Sequence, residues 1–154
     1  MLSMIPARTD QHYESLLNLV FNQENTFLTS FLDLVELTRE QFGCYFRHTG
    51  IAYQIYSDQE LVGLCWVNEQ TDRMVLLGLV IRPEYQGQGI GTQTLAWLED
   101  NNATTVQSIE LQVHRSNPRA KALYERLGYH EVHYAPASGF FTLRKPILEA
   151  TPLK

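Results

Sequence analysis

Residues Met74 to Ile81 read MVLLGLVI, an unbroken apolar run that Arg82-Pro83 brings to a stop. Three glycines then fall within five positions, Gly87, Gly89 and Gly91, before apolar residues resume at helical spacing. An aliphatic run of this length suggests a strand covered on both faces. Glycine weakens strands and helices alike, so its concentration at a strand-to-helix handover needs a reason. Two readings are open. The loop is a tight turn that requires positive φ, or it is a cradle where unpaired N–H groups and the helix dipole face an anion. In the second reading Gln86, Gly87, Gln88, Gly89, Ile90, Gly91 and Thr92 form the cradle, with the Thr92 hydroxyl as an extra donor.

Two familiar phosphate-binding sequences do not fit. A P-loop needs Lys-Ser/Thr after its last glycine, where this chain has Thr92-Gln93. A Rossmann fingerprint spells G-x-G-x-x-G, whereas this stretch spells G-x-G-x-G. Glu110 stands where a ribose acid would be sought, but too little chain follows to complete a doubly wound sheet.

The flanking sequence predicts a mixed α/β layer fold. Met1–Ala7 suits a short first strand. Helical spacing runs from Asp10 to about Phe21 and from Phe27 to about Gln41, while Phe42–Gly50 follows neither period. Ala52–Tyr56 and Leu61–Asn68 read as a hairpin around a short polar loop. After the glycines, Ile90, Thr94, Trp97 and Leu98 share a helical face up to about Asn102. Ser108–His114 alternates, with Ile109, Leu111 and Val113 on one face and Glu110, Gln112 and His114 on the other. A second helix has clear ends: Asn117 as N-cap, Pro118 first inside, Gly128 as the stop. Its apolar positions are Ala120, Leu123, Tyr124 and Leu127. Strands at about Tyr129–Tyr134 and Phe140–Lys145 follow. At 154 residues and 44% apolar content, the chain suits one domain spanning 1–154.

Composition narrows the partners. A net charge of −5 argues against a nucleic-acid binder and tolerates a cationic small molecule or a basic peptide. No run of about 20 apolar residues suggests a membrane span, and the N-terminus does not read as a secretory signal. Cys44 and Cys65 lack metal-ligand spacing, so reduced thiols and a cytoplasmic location are expected. His130 and His133 are expected on opposite faces of a strand, unable to share a metal, and no metal is expected elsewhere.

Two segments together carry a resemblance. Gln86-x-x-Gly89-x-Gly91 after the aliphatic strand resembles the acetyl-CoA pyrophosphate motif of the GNAT N-acetyltransferases. NPRAKALYERLGY, Asn117 to Tyr129, resembles their N-x-x-A-x-x-x-Y-x-x-x-G-[FY] segment, and FFTLRKPI resembles their last strand. The likeness runs from about Leu61 to Lys145. It implies a mostly antiparallel central sheet flanked by helices, with a splayed pair of strands holding the arm of CoA. The implied reaction moves acetyl from acetyl-CoA to a primary amine of a small molecule or peptide, by direct attack on the thioester.

The same resemblance implies the site. Gly87–Thr92 would take the pyrophosphate, and the backbone of Leu79, Val80 and Ile81 would pair with the pantetheine arm. An N–H near Leu79 would polarise the thioester carbonyl. Asn117 would touch the pantetheine and Tyr124 would protonate the leaving thiolate; seven residues apart on a helix, they sit about 10 Å apart along its axis. Some family members carry a glutamate base where this chain has Gln112, and Glu110 and His114 share that strand face as substitutes. Arg115, Arg119 and Lys121 read as solvated charge, with the 3′-phosphate of CoA as the alternative. The N-terminal helices of the family shape the acceptor pocket. Here that stretch holds Phe21, Phe27, Phe31, Phe42, Tyr45 and Phe46, mostly expected as core, with one or two beside Asp33, Glu36 or Glu40 to suit a cationic amine. A non-catalytic CoA-binding module and transfer of another acyl group stay open, as does a homodimer.

Overall fold

The computed structural model describes residues 1–21, 38–102 and 105–147. Seven strands form one sheet: β1 (Leu2–Pro6), β2 (Ile51–Ser57), β3 (Glu60–Glu69), β4 (Arg73–Ile81), β5 (Ser108–His114), β6 (His130–Ala135) and β7 (Phe140–Pro146). Their order is β1-β2-β3-β4-β5-β7-β6. Every neighbouring pair is antiparallel except β4 and β5. Among the described residues there are four α-helices: α1 (Asp10–Phe21), α2 (Arg39–His48), α3 (Ile90–Asn102) and α4 (Pro118–Arg126). None is long and apolar enough to cross a membrane.

The sheet separates two cores. On one face Ile90, Leu95 and Leu98 of α3 pack on Cys65, Val67, Ile109, Leu111 and Val113. On the other, Leu16, Leu17 and Val20 of α1 and Phe42 and Phe46 of α2 pack on Leu64, Trp66 and Val80. The alternation read from Ser108–His114 holds, since Ile109, Leu111 and Val113 are buried and Glu110, Gln112 and His114 face the second layer.

The predicted ends of α4 also hold. The Asn117 side chain accepts from the Ala120 N–H at 3.2 Å, Pro118 opens the helix, and Gly128 sits at φ +102°. One expectation lies largely outside the described residues, and one needs correction. The first is the helix expected from Phe27 to about Gln41; the described helix here is Arg39–His48, over the stretch that showed no period. Thr38 and Gln41 start it as a reciprocal capping box: the Thr38 hydroxyl accepts from the Gln41 N–H at 3.1 Å, and the Gln41 side chain from the Thr38 N–H at 2.8 Å. His130 and His133, expected on opposite faces, instead stand opposite Arg144 and Thr142, two apart on β7. Val132 is the extra residue of a bulge, which restores both histidines to one face. No group of three or more His, Cys, Asp or Glu among the described residues is placed to hold a metal ion.

Candidate functional site

β4 and β5 pair only over Arg73–Leu76 and Ser108–Leu111. Beyond that point they part, and a bulge marks the place. Trp66 of β3 stands opposite Gly78 and Val67 opposite Leu76, leaving Leu77 as the extra residue. The bulge exchanges faces: Met74 and Leu76 point to the α3 layer before it, and Leu79 and Ile81 do so after it. The sequence suggested a run covered on both faces. Leu77, Gly78, Leu79 and Ile81 are in fact only half-buried, because the neighbour that would cover them has turned away.

The opening leaves backbone groups without a strand partner. The Arg82 N–H donates to Val62 O at 2.8 Å, so the pair two residues earlier, Val80 opposite Leu64, is also hydrogen-bonded in the antiparallel alternation. The backbone of Val80 is thereby taken by β3, and its side chain lies in the α1/α2 core. Leu79 and Ile81, in between, turn their N–H and C=O groups toward the gap. The Ile81 carbonyl is met by the Gln86 side chain at 2.9 Å, which ties the start of the glycine loop to the strand end.

The glycine loop separates the two readings of its sequence. Gly87 and Gly89 sit at φ +79° and +81°, so a turn alone accounts for them. Gly91 does not fit that account. It lies in the first turn of α3 without positive φ, and a Cβ there would meet only Leu79 Cδ2 at 3.8 Å, an ordinary contact. A Cβ on Gly87 would meet nothing within 4 Å. At Gly91 the fold therefore tolerates a side chain where the sequence has none, and the vacated volume opens on the free first-turn N–H groups of α3. Among the described residues, no acceptor meets the N–H groups of Ile90, Gly91 or Thr92.

A cavity of about 480 Å³ runs from this loop to α4, lined by Gly87, Gly91, Thr92, Asn117, Arg126 and Tyr124 among others. Leu79, Ile81, Gln86, Gly89 and Ile90 line it too, whereas Gln88 does not and turns its side chain back to Glu84 O at 3.4 Å. α4 buries no side chain fully, which suits a helix whose cover is a ligand. Of the basic residues weighed from sequence, Arg119 lines the cavity. Arg115 reaches the Tyr134 hydroxyl at 3.4 Å, and Lys121 pairs with Glu125 at 3.3 Å and Glu131 at 3.2 Å. Arg126, one helical turn beyond the motif tyrosine's neighbours, was not singled out from sequence; its spacing from Arg119 on α4 was the available signal.

Tyr124 lines both this cavity and a central one of about 90 Å³ that contains Gln112, His114 and the Leu77–Gly78 bulge. Its ring packs edge-on against Tyr129 at 6.1 Å. Its hydroxyl has no hydrogen-bond partner among the described residues. Burial pushes the Tyr124 hydroxyl up to about 12, and the nearby Cys65 thiol adds to the effect. Cys65 is itself pushed up to about 12 by complete burial, so it stays a neutral thiol packed in the sheet.

The two residues that share Gln112's face are both engaged. The Ser116 N–H donates to His114 Nδ1 at 3.2 Å, which assigns the ring proton to Nε2, 3.1 Å from the Ser138 carbonyl. Glu110 Oε1 receives Arg73 Nη1 at 3.0 Å and Arg144 Nη2 at 2.7 Å. A third cavity of about 180 Å³ adjoins the central one through Leu77, Gly78 and Gln112. Phe42, Tyr45, Phe46 and Trp66 wall it. Phe42 and Phe46 are core residues, as expected, and Tyr45 is the exposed aromatic at the rim. Glu40 is exposed and not part of this wall, and Phe27, Phe31, Asp33 and Glu36 lie outside the described residues.

Comparison with known proteins meets this geometry. The Escherichia coli ribosomal protein bS18-alanine N-acetyltransferase is 31% identical over 80 residues, covering 51% of this chain and 54% of that protein. The chain thus spans about half the length of the curated relatives it matches. The crystal structure of the Escherichia coli ribosomal-protein-S18-alanine N-acetyltransferase superposes with a TM-score of 0.74 at 20% identity, over 98% of this chain and 97% of that one. The PaiA N-acetyltransferase of Thermoplasma acidophilum, solved in complex with coenzyme A, superposes with a TM-score of 0.71 at 16% identity, over 95% of this chain and 99% of that one. A sequence model of the acetyltransferase (GNAT) family matches residues 14–129, from α1 through the glycine loop to the end of the α4 segment, and the chain belongs to that family.

Proposed function

We propose that this chain, acting as one domain over 1–154, is an acetyl-CoA-dependent N-acetyltransferase whose acceptor is the α-amino group of a peptide or amino acid. The observation that carries the donor half is Gly91, a helix glycine that neither φ nor a neighbouring atom requires. A pyrophosphate laid against Gly87–Thr92 explains it, since backbone N–H groups then reach the oxygens unobstructed. The gap-facing backbone of Leu79 and Ile81 suits the amide-bearing pantetheine arm as an added strand, whereas the Val80 backbone is already taken by β3. Asn117 and Tyr124 lie along the remaining path, and Arg119 and Arg126 suit the phosphates. The acceptor half rests on the relatives, which are named for acetylating an alanine of a ribosomal protein. Two free thiols, one exposed and one buried, agree with a reducing cytoplasm.

In the chemistry that follows, the amine nitrogen attacks the thioester carbonyl, a C–N bond forms and the C–S bond breaks. The Leu79 N–H faces the carbonyl oxygen as charge develops on it. Tyr124 holds its proton throughout the neutral range. Giving that proton outright from a group near 12 to an ordinary thiolate near 8.5 is uphill by about 5 kcal/mol. The hydroxyl therefore acts first as a hydrogen-bond donor to the departing sulfur; the acetylated nitrogen gives its proton to water, the thiolate takes one through Tyr124, and Tyr124 regains its own from solvent.

Calorimetric titration with acetyl-CoA and free CoA, followed by thiol-release assays on a panel of amines, tests the reading. One-to-one donor binding with turnover supports it, and no binding at millimolar donor removes it. Gln112, placed where other family members carry a glutamate, favours a second reading, a non-catalytic CoA-binding module. Binding without thiol release from any amine would select that one.

A further inference from the structure

We infer that the acceptor's amine carries an apolar substituent larger than a methyl group, held in the cavity around Trp66, and that polyamines and lysine side chains are excluded. This rests on the transferase reading above. The three cavities form one path. The donor cavity and the central one share Leu79, Asn117, Ala120 and Tyr124, and the central one shares Leu77, Gly78 and Gln112 with the third. An amine placed against the thioester beside Gln112 and Tyr124 has its substituent directed into that third cavity.

Among the described residues the walls there are mainly carbon. Trp66 meets Phe42 at 5.8 Å, Tyr45 at 5.6 Å and Phe46 at 5.0 Å, all edge-on. Its indole N–H is already given to Thr49 O at 2.7 Å, so the ring offers the cavity no polar group. Such a wall favours a branched aliphatic or aromatic substituent and gives nothing to a charged one.

The charges at the far end disfavour a second cation. Glu110 lines the cavity, but two guanidinium groups converge on its Oε1. Neither arginine lines the cavity, but their charges offset that of the carboxylate, so a second ammonium gains little there. Deprotonation points the same way. His114 has both ring nitrogens engaged, and Gln112 cannot take a proton. An α-amine, with an ordinary value near 8, is about one-quarter neutral at pH 7.5, whereas a lysine-type amine near 10.4 is about one-thousandth neutral. An α-amine needs little help to attack, and a strongly basic amine needs a base on this face.

Gly78 supplies the test. Its backbone is not in the positive-φ region, and an added Cβ would lie 3.7 Å from Trp66 Cε3, an ordinary contact. Gly78→Ala therefore narrows the cavity without forcing the fold. Tyr45→Ala, on the exposed face of α2, widens it. The substrates are four short peptide amides beginning with Gly, Ala, Leu and Phe, together with spermidine and Nα-acetyl-lysine amide, each assayed by thiol release from acetyl-CoA. We expect kcat/KM at least tenfold higher for the Leu or Phe peptide than for Gly, and at least a hundredfold higher than for the two strong bases. Gly78→Ala should cut the Leu-to-Gly ratio at least fivefold, and Tyr45→Ala should raise the Phe-to-Leu ratio. Preference for spermidine or the lysine derivative, or Leu and Gly peptides within threefold of each other, overturns this inference and leaves the transferase reading intact. Thiol release from none of the six amines, by protein that binds the donor, overturns both.

Discussion

From Arg73 to Leu76, β4 is bonded to β3 on one edge and β5 on the other, and Met74 and Leu76 lie buried beneath α3. Past the Leu77 bulge, from Gly78 to Ile81, it keeps β3 and loses β5, and Leu77, Gly78 and Leu79 are half-exposed. The two halves are equally apolar in sequence. The first half buries its aliphatic surface against protein. The second presents comparable surface, plus the Leu79 backbone and the Ile81 N–H, to whatever enters the gap. Apolarity alone does not tell a core from a binding cleft; unused backbone and a glycine without a structural reason do.

The largest effect should come where the open half meets Tyr124. Tyr124→Phe keeps the ring against Tyr129 and removes only the hydroxyl. We expect kcat in thiol release to fall by about 10²–10⁴, the range for loss of a positioned proton donor, with donor affinity within twofold. The pH dependence sharpens this. A tyrosine raised to about 12 stays protonated below its usual value near 10 and loses its proton only as pH rises through about 12. Wild-type kcat should therefore show no alkaline fall attributable to this group below pH 10. A fall centred near pH 8 that vanishes in the Phe variant would break the assignment.

Next is Gly91→Ala, which sets the two roles of the loop against each other. If fold were the only demand, alanine should simply improve α3, by about 0.5–1 kcal/mol, raising Tm by roughly 2–4 °C. If the space in front of Gly91 belongs to a phosphate, the same methyl group weakens the donor, and we expect at least tenfold lower affinity by calorimetry. A more stable protein with unchanged donor affinity would return the loop to being a turn.

What could be read in the sequence follows the same division. The donor side is built from contiguous signals, because backbone and helix ends recognise phosphate and those features occupy adjacent residues. Gly87–Gly91, the Asn117 cap and the Gly128 stop all lie within short windows. The acceptor side converges from α2, β3, β4 and β5, and no spacing brings Trp66, Tyr45, Leu77 and Glu110 together in advance. The bulges at Leu77 and Val132 each changed which side chains share a face, and an inserted residue leaves no mark in an alternation read from one strand. The start of α2 was legible: Thr38-x-x-Gln41 is a capping box in plain sequence, masked by apolar spacing that continued through it.

The smallest expected effect concerns Glu110, and its smallness is what gives it meaning. Glu110 is the acid on the face of β5 that Gln112 occupies, and in sequence it was a substitute base. In the structure its Oε1 is committed to Arg73 and Arg144, so Glu110→Gln should act mainly on stability. The cluster is partly solvated, with Arg144 side chain 40% exposed, so we expect a loss of about 1–2 kcal/mol rather than the larger cost of a fully buried pair. Turnover with an α-amine should change by less than threefold, because the proton leaving the nitrogen passes to water rather than to this carboxylate. A hundredfold loss of kcat in a folded Glu110→Gln protein would make Glu110 the base. It would also remove the argument from proton loss that the acceptor must be a weakly basic amine, leaving the carbon walls around Trp66 to select it.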